Sequence, residues 1–196
     1  MTVQIAVFDG FDELDAIAPY EVLANARMAV SLVSEDGAEA VTAAHGLAVR
    51  PQGRLGEGDR PDILVVPGGG WAAGSASGVR GAIARGTLPE TVRRMHAEGT
   101  VIAAVCTGAM ALAAAGLTSG RPATTHRSAL ADLRAAGAAI TDARVVDDGD
   151  IVTAGGVTSG LDLALWLVER FLGAGAAEAV AAGMEYARQG TVWRSW

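Results

Sequence analysis

A chain of 196 residues, 51% hydrophobic and 19% charged, fits one domain able to bury roughly 70% of its unfolded surface, which excludes intrinsic disorder and removes the need for a disulfide or metal staple. A net charge of -7 and a pI of about 4.9, with no clustered arginine stripe, exclude nucleic acid and anionic lipid as natural partners. The 15 basic side chains are all arginine and there is 1 cysteine, so lysine Schiff-base chemistry and an intramolecular disulfide are excluded and a reducing compartment is implied.

The opening MTVQIAVF has neither a basic leader nor a small-residue cleavage site, so no signal peptide is expected and a cytoplasmic protein is. Its apolar run predicts a strand from Val3 to Phe8, followed by a helix over about Ala16 to Arg27 with Asp12 or Asp15 near its start. A second strand is predicted over Val30 to Ser34. Turn residues His45 and Gly46 within VTAAHGLAVRP, Val41 to Pro51, predict a hairpin at the sheet edge. The continuous apolar strand Asp62 to Val66 then runs into Pro67-Gly68-Gly69-Gly70, where missing Cβ atoms permit a sharp turn. A helix over Leu88 to Glu98 leads to strand Val101 to Val105, then Cys106, then a helix from Thr107 to Ala115 closed by Gly116.

Beyond the elbow, a short strand at Ala123 to Thr125, a helix at Ala129 to Ala136 and a hairpin around Asp147 to Asp150 are predicted. Strand Ile151 to Ala154 ends in Gly155-Gly156. Ser159 and Asp162 have capping-box spacing at the start of an amphipathic helix, Leu161 to Leu172, and a last helix covers about Ala176 to Arg188. The longest apolar stretch, Val101 to Leu117, is too short to span a membrane. Strands alternating with helices, without a linker or repeat, predict a single-domain, flavodoxin-like three-layer α/β sandwich, a mostly parallel sheet flanked by helices with the cysteine at a strand-turn-helix elbow.

In such sheets the ligand crevice lies at the carboxyl ends of the strands, where Asp15, Gly68 to Gly70, Cys106 and Gly155-Gly156 all fall. A thiol between a strand end and a helix start meets the helix dipole and free amide groups, which favour its thiolate, so Cys106 is expected to carry a depressed pKa and act as a nucleophile. Away from such a turn, a lone cysteine is an inert core residue. Gly69 and Gly70 are placed to offer amide donors to a developing negative charge. Asp15 either moves a proton or caps the helix that follows. His126, after Thr124-Thr125, is read either as a structural hydrogen-bonding residue or as a substrate-side residue of the site. Trp71, a candidate pocket wall, and Gly155 are also read on the substrate side, while Trp193 and Trp196 read as interface or surface residues. Gly155 is expected to let the elbow approach closely. His45 and His96 read as turn and helix-surface residues, and nothing has metal-ligand spacing.

The run AVCTGAMALAAAGLTSGRPATTH, with VPGGG upstream and TAGGVTSGLDLAL downstream, resembles the ThiJ/PfpI family of the class I glutamine amidotransferase-like superfamily. The resemblance covers essentially the whole chain, so residues 1–196 are expected to form one domain of that kind. It implies Cys106 as the nucleophile and Gly69 and Gly70 as oxyanion-side glycines. Protease-like members carry histidine directly after the cysteine, and Thr107 here argues against a peptidase. Asp15, in FDELDAIAPYEVL, stands where the family has an acidic residue contacting the cysteine, a glutamate in many members and an aspartate in isocyanide hydratases. Aspartate together with CTG, ATTH and GGVTSGLD is similar to the isocyanide hydratase subgroup. The segment from Trp71 to Pro89 departs from it by its length.

The resemblance implies that Cys106 attacks the terminal carbon of an organic isocyanide, that Asp15 protonates that carbon and later activates water, and that Thr107 and the glycine amides position the intermediate. It implies no cofactor, a small-molecule substrate and a homodimer with the site near the interface. Glyoxalase or deglycase-type chemistry on small carbonyl compounds, in which His126 matters more, and a non-catalytic thiol redox sensor are the alternatives.

Overall fold

Strands that are apolar at every position need cover on both faces. The computed structural model, which describes residues 1–71 and 76–196, supplies it. The chain forms β1 (Thr2–Val7), α1 (Glu13–Asn25), β2 (Ala29–Ser34), β3 (Val41–Thr42), β4 (Ala48–Val49), β5 (Gly53–Arg54) and β6 (Ile63–Val66). It continues with α2 (Val79–Arg85), α3 (Thr87–Ala97), β7 (Val101–Ala104), α4 (Ala109–Ala114), β8 (Pro122–Ala123), α5 (Leu130–Ala135) and β9 (Ala139–Ile140). The last elements are β10 (Val145–Asp147), β11 (Ile151–Ala154), α6 (Ser159–Leu172), α7 (Ala174–Gly183) and β12 (Val192–Arg194).

The main sheet has the order β12-β10-β11-β7-β6-β1-β2-β5. Strands β5, β2, β1, β6, β7 and β11 run parallel, β10 turns back against β11, and β12 runs alongside β10. Helices α1, α6 and α7 pack into one layer and α2 to α5 into another. This is the expected three-layer α/β sandwich with a flavodoxin-like, mostly parallel sheet. Every residue of β6 and β11 is buried, as double cover demands.

Several local expectations are corrected. The predicted hairpin forms as β3 and β4, but as a separate two-stranded ladder, and β5 takes the sheet edge beside β2. The tip of that hairpin docks on the start of α1, where Glu13 accepts from the His45 N–H at 2.6 Å. Short β8 pairs with β9, which the pattern did not announce. The 159/162 capping box does not form: the residue before α6 is Thr158, whose side chain makes no cap bond, and Asp162 faces inward. There it accepts from Arg144, Tyr186 and the Gln189 N–H, so burial with a cation has displaced the capping role. The last helix stops at Gly183, five residues earlier than predicted, because Glu185 enters the left-handed region at φ 51 and the tail then returns to the sheet as β12. The segment between Trp71 and Pro89 contains α2; residues 72–75 of it lie outside the described residues. Among the described residues no helix is long and apolar enough to cross a membrane.

Candidate active site

At the carboxyl end of β7 the chain leaves Val105 in extended geometry and turns sharply, with Cys106 at φ 57. A non-glycine residue in this region holds only where its surroundings over-determine it. Three hydrogen bonds do so: Cys106 N–H donates to the Gly155 carbonyl at 2.8 Å, and the Cys106 carbonyl accepts from Thr125 Oγ1 at 2.7 Å and the His126 N–H at 3.3 Å. The residues 106–108 form a single 3-10 turn before α4, so a tight turn replaces the first turn of the predicted helix. Gly108 lies so close to the Val66 carbonyl that a Cβ there would collide with it, and this closeness seats the elbow against the end of β6.

Asp15 reaches the same point from α1. The helix cap is Asp12, which accepts the Leu14 N–H at 3.2 Å, so Asp15 is released from the capping role considered for it. Its side chain is fully buried, Oδ2 accepts the Gly68 N–H at 3.0 Å, and Oδ1 has no hydrogen-bond partner of ordinary geometry. Burial first, and the nearby Asp12 charge second, push its pKa up to about 7, against the opposing pull of the Gly68 N–H and the Cys106 thiol.

The thiol departs from expectation. Burial first, then the Asp15 charge, push Cys106 up to about 12, while the backbone N–H groups of Val157 and Thr107 pull the other way. A three-residue turn and a six-residue helix provide little dipole to offset desolvation beside a carboxylate. The pair therefore gives up its first proton from Asp15 and its last from Cys106. Above about pH 7 it is a carboxylate facing a thiol, an arrangement in which a proton can pass from sulfur to the carboxylate.

A cavity of about 270 Å³ opens over Cys106, walled by Gly69, Gly70, Trp71, Thr107, His126 and Val157 among others, with Asp15 buried behind it. The Gly69 N–H donates to Thr107 Oγ1 at 3.0 Å, so in this conformation that amide positions Thr107. Trp71 is pinned from two sides: Nε1 donates to Asp132 at 2.7 Å, and the Arg80 guanidinium stacks 4.0 Å from the ring centre. His126 Nδ1 accepts the Ser128 N–H at 3.2 Å, which is a structural bond, while its ring still borders the cavity.

The close approach expected at Gly155 belongs to its neighbour. A Cβ on Gly155 would lie 3.1 Å from Ser159 Oγ, a tight but yielding contact, whereas one on Gly156 would run into the His126 ring. Gly155 acts instead through its carbonyl. Two contributors leave little trace in the sequence. Val157 is a β-branched residue at φ 33 whose N–H faces the thiol, and its place after a glycine pair at a strand end is the only trace it leaves in sequence. Asp132, which fixes Trp71, reads in sequence as a helix-surface carboxylate. Among the described residues no group of three or more His, Cys, Asp or Glu side chains could hold a metal ion.

Comparison with known proteins fits this geometry. The model of the DJ-1/PfpI family matches residues 1–170. The isonitrile hydratase of Pseudomonas putida is 35% identical over 190 residues, covering 95% of this chain and 80% of that protein. A deglycase of Thermococcus kodakarensis is 31% identical over 165 residues, covering 78% of this chain and 89% of that one. The crystal structure of a ThiJ/PfpI family protein from Pseudomonas syringae superposes with a TM-score of 0.84 at 30% identity, covering 96% of this chain and 76% of its own.

Proposed function

The chain belongs to the DJ-1/PfpI family, and on that premise we propose that it hydrates an organic isocyanide to the corresponding N-substituted formamide. The observation that supports this reading most is the buried Asp15 carboxyl, raised to about 7 beside the Cys106 thiol, because one group then serves as both base and acid near neutral pH. Asp15 carboxylate takes the thiol proton as sulfur attacks the terminal isocyanide carbon. The same proton passes to that carbon, giving a thioimidate, R–N=CH–S–Cys106. Asp15, again a carboxylate, then takes one proton from water as the water oxygen adds to the thioimidate carbon, and passes that proton to the nitrogen, giving R–NH–CH(OH)–S–Cys106. Collapse breaks the C–S bond and releases R–NH–CHO, while the hydroxyl proton, carried by Asp15, goes to the departing sulfur and restores the thiol.

The N–H groups of Thr107 and Val157 stabilise negative charge on sulfur, and Thr107, whose Oγ1 accepts the Gly69 N–H, lines the cavity beside it. No cofactor enters these steps. The acting species is a homodimer in this reading. The test is incubation of the purified protein with cyclohexyl isocyanide, following N-cyclohexylformamide and the intact protein mass. Formamide appearing at a rate proportional to protein supports the proposal; no formamide, with methylglyoxal consumed instead, replaces it with carbonyl chemistry of the deglycase kind, for which the place of His126 in the cavity wall is the supporting observation.

A further inference from the structure

The loop 155–158 touches the nucleophile twice. Gly155 accepts the Cys106 N–H at 2.8 Å, and the Val157 N–H faces the thiol. The loop is not a relaxed one, since a β-branched residue at φ 33 must be held there by its neighbours. One residue outside the reaction cavity supplies two of the restraints and is itself anchored by a third bond. The Arg144 carbonyl accepts the Gly155 N–H at 3.0 Å, its Nη2 donates to Thr158 Oγ1 at 3.1 Å, and its Nε donates to Asp162 at 2.5 Å.

Arg144 is itself immobilised. Asp162 is buried and also accepts from Tyr186 Oη at 2.9 Å and the Gln189 N–H at 2.7 Å, which fixes the carboxylate that the guanidinium binds. The arginine stem lies against Gly190, where a side chain would collide with it. A guanidinium with two donors committed to fixed acceptors is a rigid strut rather than a mobile surface charge.

With Cys106 as the nucleophile proposed above, we infer that Arg144 is a positioning residue: locked on Asp162, it holds Thr158 and so the strained Val157 turn that orients the cysteine from outside the cavity. The titratable groups near the thiol are Asp15, Asp12 and His126, and neither Arg144 nor Thr158 is a hydrogen-bond partner of any of them.

The readout is the rate of iodoacetamide reaction with Cys106 across pH, which needs no substrate, alongside isocyanide turnover and thermal melting. Thr158→Val removes only the hydroxyl that Arg144 grips. It should slow alkylation at fixed pH about tenfold, the equivalent of one pKa unit on the thiol, and lower kcat with KM unchanged. Arg144→Met should shift alkylation the same way and also lower the melting temperature, because Asp162 loses its cation. Tyr186→Phe removes one of the bonds that fix Asp162 but leaves the Arg144–Thr158 contact, so it should slow alkylation less than Thr158→Val does. Wild-type alkylation in Thr158→Val, or slowing in Tyr186→Phe greater than in Thr158→Val, overturns the assignment. If wild type turns over no isocyanide, the hydratase proposal fails while the alkylation rates still decide the role of Arg144.

Discussion

Removing the Asp15 charge should speed one reaction of Cys106 and stop another. In Asp15→Asn the thiol loses the carboxylate that raises its pKa, so iodoacetamide should react faster near neutral pH than with wild type. Isocyanide turnover should nevertheless fall by roughly 10²–10⁴-fold, since amide cannot carry the proton, and Cys106→Ala should abolish it. Near-wild-type turnover in Asp15→Asn would remove the carboxyl from the mechanism. For the wild type, kcat/KM should rise with pH through about 7, as Asp15 becomes the base. The same group bears on stability. With its pKa raised from 3.8 to about 7, the folded protein keeps a proton that the unfolded chain has released, so unfolding free energy falls as pH rises across that window. The shift amounts to roughly 4 kcal/mol between protonation states. Asp15→Asn should therefore melt above wild type at pH 8, with the gap narrowing toward pH 4; a constant gap would count against a buried, titrating Asp15. At this scale, sequence placed Cys106, Asp15 and Thr107 together at the strand ends but gave the wrong direction for the thiol. An elbow motif reveals nearby amide groups, whereas the depth of burial depends on how α1 and the loop 155–158 close over it.

Helix and strand packing makes its own demands on single positions. Gly108→Ala should cost about 3 kcal/mol or more of stability, because the added carbon meets the rigid Val66 carbonyl rather than a side chain that can turn away. Gly155→Ala should cost under about 1 kcal/mol, since Ser159 Oγ can rotate, and urea unfolding of the two variants measures the contrast. Equal costs would show that the elbow can shift away from β6. Apolar periodicity sufficed to locate β1, β2, β6, β7 and β11, of which β6 and β11 are buried at every position and the others along most or half of their length. It failed for α2, β9 and β12, which are short and whose places are set by partners distant in sequence: β12 exists because β10 offers it an edge, with Trp193 opposite Val146. It failed again at Asp162, where capping-box spacing was read and a buried carboxylate anchoring the tail was found.

For the molecule as a whole, the alternation of strands and helices was enough to reach the sandwich, because parallel strands need crossovers and crossovers need helices. Assembly is a different matter, since no periodicity encodes which face meets a second copy. Sedimentation should return twice the 19.8 kDa of one chain, and a species of 19.8 kDa at micromolar concentration would remove the homodimer from the proposal. The course of the tail has a further consequence. Because β10 reverses against β11 and β12 follows β10, the chain's last strand runs opposite to its first. Met1 and Trp196 thus both emerge beneath the sheet, while Cys106 opens above it. A carrier fused to either end, or a surface to which either end is tethered, would hold the molecule upright with its cavity facing the bulk solution.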